Sequence, residues 1–214
     1  MTTLYGYFRS SAAYRVRIAL NLKDLGYDQI PVNLVKGEQR GEAYLARNPQ
    51  GLVPALVTDD GTVLTQSLAI CEYLEEVHPS PALLPQEPAE RARVRALAQQ
   101  VACEIHPLNN LRVLKYLVHE LKLDEDAKQA WYRHWVATGF DALEAMLSRE
   151  AGSGDYCHGD TPTLADVCLV PQVFNAERFE CDLSPYPRIR RITANCRALQ
   201  AFQRAAPSEQ PDAG

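Results

Sequence analysis

A proline-rich segment divides this chain into two parts with different patterns of apolar residues. Four prolines fall within His78–Pro88, so a helix that ends near Val77 cannot continue through them. Strand-like and helix-like stretches alternate before this segment, and only helical periodicity follows it. The division predicts an α/β domain over residues 1–80, a linker over 81–88, an all-helical domain over 89–206 and a flexible tail over 207–214.

The first part shows the order β-α-β-α-β-β-α. A right-handed βαβ unit followed by a hairpin and a closing helix forms a small sheet covered by helices. The predicted elements, in chain order, are Thr3–Phe8, a helix from Tyr14 that stops at Gly26, Tyr27–Leu34, Gln39–Ala46, Val53–Thr58, Thr62–Leu64 and Gln66–Val77. The turn signal Asp59-Asp60-Gly61 joins the two strands of the hairpin.

The second part is predicted to be all helical. Apolar residues at helical spacing mark four segments: Val94–Leu108, Ala130–Leu147, Leu164–Phe174 and Ile189–Phe202. Pro107 predicts a kink in the first of them, because it removes a backbone donor. His106 and Asn110 are four residues apart and are expected to share a helix face beside the kink. Arg112 would lie about 200° around a regular helix from Asn110.

Composition narrows the possible partners. The 214 residues include 22 basic and 27 acidic side chains, a net charge of −5, with no basic tract of the kind that binds nucleic acid. No export signal and no apolar run long enough to span a membrane are present, so we expect a cytoplasmic protein that binds neither nucleic acid nor membrane. The six cysteines form no Cys-x-x-Cys pair, which is typical of reduced thiols. Cys103 with His106 and Cys157 with His158 supply too few ligands for zinc, so no metal is expected.

The turn before the first helix contains adjacent hydroxyl groups, Ser10 and Ser11. Helix capping explains one serine well and the second less well. The alternative is that the same groups stabilise an anion at the helix N-terminus. Because a redox protein would place a thiol here and this turn has none, that anion would belong to a bound ligand.

Two further turns of the first part offer groups that bind peptides or anions. Leu52-Val-Pro-Ala55 opens a strand, and a cis peptide bond before Pro54 would turn the N–H and C=O of Val53 toward a peptide-like ligand. Gln66 and Ser67 open a helix, with Ser67 predicted as its cap or as a carboxylate-binding group. All three turns lie where strands end and helices begin, which is the usual ligand-binding edge of such folds.

Thr163-Leu-Ala-Asp166 has the pattern of a capping box. In this motif each of the two side chains accepts a hydrogen bond from the other residue's backbone. We therefore assign Asp166 to folding and not to acid–base chemistry.

Four segments together resemble the zeta class of glutathione transferases over residues 3–206. They are Ser10–Leu20, Asn48–Pro54, Gln66–Glu76 and Ala165–Gln172. The resemblance implies a thioredoxin-like N-terminal domain, an all-helical C-terminal domain, glutathione bound in the cleft between them, and a homodimer. One departure concerns residue 12, where the family usually has cysteine and this chain has Ala12.

The resemblance also implies roles for single residues. Ser10 and Ser11 match the hydroxyls that contact the thiolate, and Val53 matches the residue whose backbone pairs with the cysteinyl part of glutathione. The other positions that match glutathione contacts, or lie beside them, are Ala12, Arg15, Gln39, Pro54, Gln66, Ser67, His106, Asn110 and Arg112. Arg9 and Arg178 match arginines that bind the substrate, a small dicarboxylate enone.

The activity implied is cis–trans isomerisation of maleylacetoacetate to fumarylacetoacetate in tyrosine and phenylalanine breakdown, by thiolate addition, bond rotation and elimination. Three alternatives stay open. One is the same chemistry on the shorter maleylpyruvate, in gentisate breakdown. Another is a general transferase that acts on α-halo acids, and the last is a glutathione-binding module without catalysis.

Overall fold

The computed structural model describes residues 1–149 and 152–213. Contacts between residues divide the chain into two compact units, Met1–Leu83 with Arg197–Gly214, and Leu84–Cys196. These limits differ from the predicted ones, because residues 81–83 and 197–206 belong to the first unit.

The first unit contains the predicted α/β domain. Its elements are β1 (Thr3–Gly6), α1 (Ser11–Leu22), β2 (Asp28–Pro31), a 3₁₀ turn (Glu38–Arg40), α2 (Glu42–Leu45), β3 (Ala55–Val57), β4 (Val63–Thr65) and α3 (Ser67–Val77). The predicted order of strands and helices is confirmed. β1, β2, β3 and α2 are shorter than their apolar patterns suggested, and α1 begins three residues before its predicted start at Tyr14.

The sheet has the strand order β2-β1-β3-β4. β1 pairs in parallel with β2 and antiparallel with β3, and β3 forms the predicted hairpin with β4. α1 and α3 pack against each other. Leu4 of β1, Leu56 of β3, Ile18 of α1 and Ile70 of α3 are fully buried in this core. The sheet thereby fixes the starts of α1 and α3, which contain the predicted ligand-binding serines.

A buried ion pair holds the start of the predicted linker against the first unit. Lys23 Nζ lies 2.7 Å from Glu75 Oε2 and also donates to the carbonyl oxygens of His78 and Pro81. The same Glu75 oxygen accepts from the backbone N–H of Leu83 at 2.9 Å. Residues 78–83 are therefore bonded to this unit, which explains why the predicted boundary at residue 80 falls too early.

The predicted tail is also part of the first unit. After α9 (Gln200–Ala205), Pro207–Glu209 form a 3₁₀ turn, and Pro207 and Gln210 are buried. The prediction of a flexible tail over 207–214 is wrong for residues 207–213, because polar side chains there bond to the backbone of the unit. Gly214 lies outside the described residues.

The second unit is built from helices, as predicted. They are α4 (Pro88–Gln99), a π-helical segment (Gln100–Ile105), a 3₁₀ turn (Pro107–Asn109), α5 (Leu111–His119), α6 (Glu125–Arg149), α7 (Leu164–Arg178) and α8 (Pro187–Arg197). The predicted helix over Ile189–Phe202 is in fact two helices, α8 and α9. The apolar pattern did not predict α5 as a separate helix.

Asp166 closes the capping box at the start of α7. Its Oδ2 accepts from the N–H of Thr163 at 2.8 Å, and its Oδ1 accepts from the N–H of Cys157 at 2.9 Å. Burial raises the pKa of Asp166, and the hydrogen bonds from Cys157 and Thr163 oppose that rise. The fully buried carboxylate therefore joins the loop before α7 to the first turn of this helix, which is a folding role.

The six cysteines are free thiols, and four of them are buried. The residues that the structure describes contain no group of three or more His, Cys, Asp or Glu side chains suited to a metal ion. Within the same part of the chain, no helix is both long enough and apolar enough to cross a membrane.

Candidate active site

Ser10 caps α1, as predicted, and its hydroxyl is oriented by that role. Its Oγ accepts from the backbone N–H of Ala13 at 3.2 Å, and its own N–H donates to the carbonyl of Tyr7 at 2.9 Å. A serine hydroxyl has one proton and two lone pairs, so an oxygen that already accepts still has its proton to donate. Ser10 can therefore donate to an anion bound at the start of the helix.

The rest of the first turn of α1 favours the same kind of ligand. Ser11 is the first residue of the helix and is 4% exposed, and Ala12 is half-buried beside it. The turn contains no acidic side chain that would compete for the backbone N–H groups and the positive end of the helix dipole. The structure thus brings Ser10, Ser11 and Ala12 together at one helix end.

Arg9 is an exposed cation directly before the cap. Its Nη2 donates to the hydroxyl of Tyr7 at 3.1 Å, and its guanidinium carbon lies 4.9 Å from the centre of the Phe8 ring. The two aromatic side chains direct the guanidinium, which has further N–H groups with which to bind a carboxylate or an oxyanion.

The loop before β3 presents the backbone of Val53. The Val53–Pro54 peptide bond is cis, and β3 begins only at Ala55. The preceding carbonyl, that of Leu52, accepts from the hydroxyl of Tyr44 and from Nδ2 of Asn48, each at 2.7 Å. Tyr44 and Asn48 therefore hold this loop. Sequence reasoning missed both residues, although Asn48 lies in a segment that carries the family resemblance.

Two glutamines of the first unit lie beside helices: Gln39 is in the 3₁₀ turn before α2, and Gln66 directly precedes α3. Gln39 is buried, and its Oε1 has no hydrogen-bond partner among the described residues. Gln66 has a φ of 67°, a conformation that costs a residue with a side chain about 1–3 kcal/mol and often marks a functional site. Its Nε2 donates to Gln50 Oε1 at 2.8 Å.

Ser67 is not the cap of α3, contrary to the prediction. Gln66 occupies the capping position without a side-chain bond, and Ser67 is the first helical residue. Instead, the buried Ser67 hydroxyl accepts a hydrogen bond from Nη1 of Arg15 at 3.2 Å. Its proton, like that of Ser10, is left to donate outward.

Arg15 extends from α1 to the start of α3 as a buried cation. Only 2% of Arg15 is exposed, and its Nε and Nη2 have no partner in the described part of the chain. A buried cation with unsatisfied N–H groups is costly, so the site favours an anionic group that compensates it. Together with the donor sets at both helix starts, this suits a ligand that carries more than one anionic group.

The second unit arranges His106, Asn110 and Arg112 differently from the prediction. The helix does not continue past Pro107, because a 3₁₀ turn follows and Asn110 adopts an extended conformation. Asn110 is the cap of α5, and its Oδ1 accepts from the N–H of Arg112 at 3.1 Å. His106 and Asn110 therefore share no regular helix face, and the angle expected between Asn110 and Arg112 does not apply.

Two side-chain bonds attach this segment to α6. Trp131 Nε1 donates to the carbonyl of Leu108 at 2.9 Å, and Asn109 Nδ2 donates to the carbonyl of Tyr132 at 3.4 Å. These two bonds hold the turn after His106 against Trp131 and Tyr132 of α6.

Arg178 also lies near Tyr132 of α6, through the ring of Phe179. It lies in the last turn of α7, which extends four residues beyond the predicted end at Phe174. Its Nη1 donates to Asn175 Oδ1 at 3.3 Å, and its guanidinium carbon lies 5.3 Å from the centre of the Phe179 ring. That ring stacks on Tyr132 with centroids 3.7 Å apart. Sequence reasoning missed Asn175 as a partner, although a spacing of three residues on a helix is a usable signal.

Models of one protein family match both units. The N-terminal domain of glutathione S-transferase matches residues 9–77, and the C-terminal domain matches residues 129–194. These matches cover the starts of α1 and α3 in the first unit and Arg178 in the second.

Curated relatives match the chain along its whole length. A probable maleylacetoacetate isomerase from Vibrio cholerae is 53% identical, over 98% of this chain and 97% of that protein. A maleylpyruvate isomerase from a Ralstonia species is 54% identical, over 98% of both chains.

Solved structures give the same result. A holo structure of maleylpyruvate isomerase, described as a bacterial glutathione S-transferase of the zeta class, has a TM-score of 0.97, with 52% identity over 99% of this chain and 100% of that one. A maleylacetoacetate isomerase from Methylobacterium extorquens, with bound malonate and glutathione, has a TM-score of 0.96, with 46% identity over 99% of both chains.

Proposed function

We propose, since the chain belongs to the zeta class of the glutathione S-transferase family, that it catalyses glutathione-dependent isomerisation of maleylacetoacetate to fumarylacetoacetate. The observation that carries this proposal is the start of α1. Ser10 has a hydroxyl proton to donate there, and the first turn contains neither a thiol nor an acidic residue. Such a helix end suits a nucleophilic sulfur that a ligand brings.

Glutathione, when bound, supplies the thiolate that adds reversibly to the substrate's double bond and so permits rotation. The role that we propose for Ser10 and Ser11 is to donate hydrogen bonds to that sulfur, which favours its ionised form. The N-terminus of α1 adds the positive end of its dipole. Because residue 12 is alanine, the turn has no cysteine for covalent or redox chemistry of its own.

The remaining contacts to glutathione are proposed from the same geometry and from the family resemblance. The backbone of Val53, next to Pro54, would pair with the cysteinyl part, and Gln39 would add a polar contact. Ser67 and Gln66, with Arg15 behind them, would bind the γ-glutamyl carboxylate. His106, Asn110 and Arg112 are assigned to glutathione on the family resemblance alone.

Arg9 and Arg178 are proposed to bind the substrate. Isomerisation requires negative charge to develop on a carbonyl oxygen of a substrate that already bears carboxylates. Fixed guanidinium groups stabilise such charge more effectively than water does, because they need no reorientation during the reaction. Each of the two arginines packs near an aromatic ring and has a side-chain hydrogen bond that directs it.

Maleylpyruvate is the second candidate substrate. The Ralstonia relative and the holo structure, both named for that substrate, are as similar to this chain as the maleylacetoacetate isomerases are. The deciding experiment compares kcat/KM for maleylacetoacetate and maleylpyruvate at saturating glutathione. A higher value for maleylacetoacetate supports the proposal, and a higher value for maleylpyruvate transfers it to the shorter substrate.

The wider setting belongs to the same proposal. We place the enzyme in tyrosine and phenylalanine breakdown, in the cytoplasm and as a homodimer. Transfer of glutathione to α-halo acids would be a side activity of the same thiolate. Glutathione binding without turnover of either maleyl substrate would favour the remaining alternative, a binding module.

A further inference from the structure

The peptide groups on both sides of Phe8 are held by residues from distant parts of the first unit. The N–H of Phe8 donates to Oδ2 of Asp212 at 3.0 Å, and its carbonyl accepts from Nη2 of Arg17 at 3.0 Å. Phe8 immediately precedes Arg9 in the chain. The backbone that carries Arg9 is therefore fixed by two charged side chains outside the turn.

Arg17 connects this turn to the end of α9. It is fully buried, and its Nε donates to the carbonyl of Ala205 at 2.9 Å. Burial lowers the pKa of Arg17 to about 10, and Tyr27, Tyr14 and Asp212 oppose the shift. The guanidinium thus stays charged at neutral pH and forms bonds to Ala205 and Phe8 at once.

The segment that contributes Asp212 is itself well anchored. Gln210 is buried, and its Nε2 donates to the carbonyls of Arg204 and Ala206 at 2.9 and 2.8 Å. These bonds attach Gln210 to the end of α9 and to the residue that follows this helix. Residues 205–212, which we call the clamp segment, therefore have a defined position from which Asp212 can hold Phe8.

Arg9 depends on Phe8 for its own position. Its exposed guanidinium contacts Tyr7, through a hydrogen bond and a ring 5.9 Å away, and lies nearer, at 4.9 Å, to the centre of the Phe8 ring. A shift of the Phe8 backbone would move that ring and the start of the Arg9 side chain together. Displacements of about 1 Å in a group that binds the reacting centre can lower rates by about 100-fold.

We infer that Asp212 and Arg17 are positioning residues for Arg9, and that the clamp segment affects the reaction only through Asp212. The inference rests on the role proposed above for Arg9. It adds that a residue 204 positions after Phe8 helps to set the geometry of this arginine.

The test is a four-variant cycle of wild type, Asp212→Ala, Arg9→Ala and the double variant, assayed with maleylacetoacetate at saturating glutathione. Loss of one charge-assisted bond predicts that Asp212→Ala lowers kcat about three- to tenfold. The same change in the Arg9→Ala background should have less than about a 1.5-fold effect, since the group it positions is gone. Glu209→Ala is the matched control, because the side chain of this exposed acid on the same segment bonds its neighbour Ser208 and not Phe8.

Hydrogen exchange gives a second readout that does not depend on activity. In the full-length protein labelled with ¹⁵N-phenylalanine, the Phe8 amide should exchange at least about tenfold faster in Asp212→Ala than in wild type or Glu209→Ala. Asp212→Asn retains an acceptor oxygen and should restore part of the protection. Asp212→Leu, which keeps much of the side-chain volume but has no acceptor, is the test variant if Asp212→Ala does not fold.

The outcomes separate the two proposals. Wild-type turnover in Arg9→Ala would overturn the role of Arg9, and the inference with it. If Arg9→Ala is impaired but the effects of Asp212→Ala and Arg9→Ala multiply, the positioning role is overturned while the proposed function stands. Unchanged Phe8 exchange in Asp212→Ala would overturn it as well.

Discussion

Arg15 of α1 and Ser67 of α3 are joined by a hydrogen bond of 3.2 Å in the buried interior of the first unit. Arginine can only donate, so Ser67 must accept, and the hydroxyl proton of Ser67 points elsewhere. The bond thereby turns Ser67 into a donor at the start of a helix, where carboxylates bind favourably. It is formed by residues 52 positions apart in the chain.

Replacing Arg15 should weaken glutathione binding through Ser67. We expect Arg15→Met to raise the Kd for glutathione about tenfold, a loss of about 1.4 kcal/mol, in calorimetric titration. The same substitution should lower the affinity much less for a tripeptide that lacks the α-carboxylate of the γ-glutamyl residue. Methionine matches much of the arginine volume, and exchange of a buried charge for an apolar group often preserves stability.

The control for this experiment is Arg47→Met, since Arg47 is an exposed arginine of the same unit whose Nη1 bonds the carbonyl of Ala43. It should leave both affinities unchanged. An equal loss for the two tripeptides in Arg15→Met would mean that Arg15 only supports the fold and does not act on the carboxylate.

Removing the Ser10 hydroxyl should make the bound sulfur harder to ionise. Thiolate absorbance of the glutathione complex, followed against pH, should show a higher thiol pKa in Ser10→Ala than in wild type, because a donor to the charged form is lost. Ser10→Thr keeps the hydroxyl and should titrate like wild type. Loss of the cap should also cost Ser10→Ala about 1 kcal/mol of unfolding free energy. A titration curve that does not move would remove Ser10 from the mechanism.

Local sequence patterns are sufficient to predict the parts of this structure that are formed by residues close together in the chain. The alternation of apolar residues and the Asp59-Asp60-Gly61 turn predict the sheet, and the place of Ser10 before a helix predicts its capping role. The bonds of Arg15 to Ser67 and of Asp212 to Phe8 join residues far apart in the chain, and no single-sequence pattern encodes such pairs.

The error at residues 106–112 has a different origin. Pro107 predicts a kink within a continuing helix, whereas the helix ends and Asn110 begins a new one. An asparagine just before the apolar spacing of Leu111, Leu114 and Leu117 is a helix-start signal. The sequence therefore contains the information, and the strong apolar periodicity before Pro107 obscures it.

Gly139 should tolerate no side chain, although it lies within a helix. A Cβ atom built there would overlap with Cγ1 and Cδ1 of Ile105, the last residue of the π-helical segment before His106. Overpacking costs about 1–3 kcal/mol, which exceeds the gain of about 1 kcal/mol in helix propensity. Gly139→Ala should therefore lower the midpoint of urea unfolding.

A double-mutant cycle identifies the clash as the cause. In the Ile105→Ala background, where both Cγ1 and Cδ1 are absent, the cost of Gly139→Ala should shrink. An equal cost in both backgrounds would assign the effect to something other than this contact.

Asp166 should affect stability and its pH dependence but not catalysis. Its pKa is raised by burial, so the folded state binds more protons than the unfolded state between pH 3.8 and the raised value. Its contribution to unfolding free energy is thus full below pH 3.8 and falls as the pH rises through this window. In urea titrations, the difference in unfolding free energy between wild type and Asp166→Asn should accordingly narrow as the pH rises above about 4. A difference that widens with pH, or a large fall in kcat of folded Asp166→Asn, would contradict this assignment.

The start of α1 is central to this account, because Ser10 and its neighbours are held to stabilise a sulfur that the protein itself does not contain. The most direct test measures maleylacetoacetate isomerisation by purified enzyme with glutathione, with S-methylglutathione and with neither. S-methylglutathione can occupy the same site but has no ionisable thiol. The account predicts turnover only in the reaction that contains glutathione. Turnover at the full rate in either of the other two reactions would contradict it.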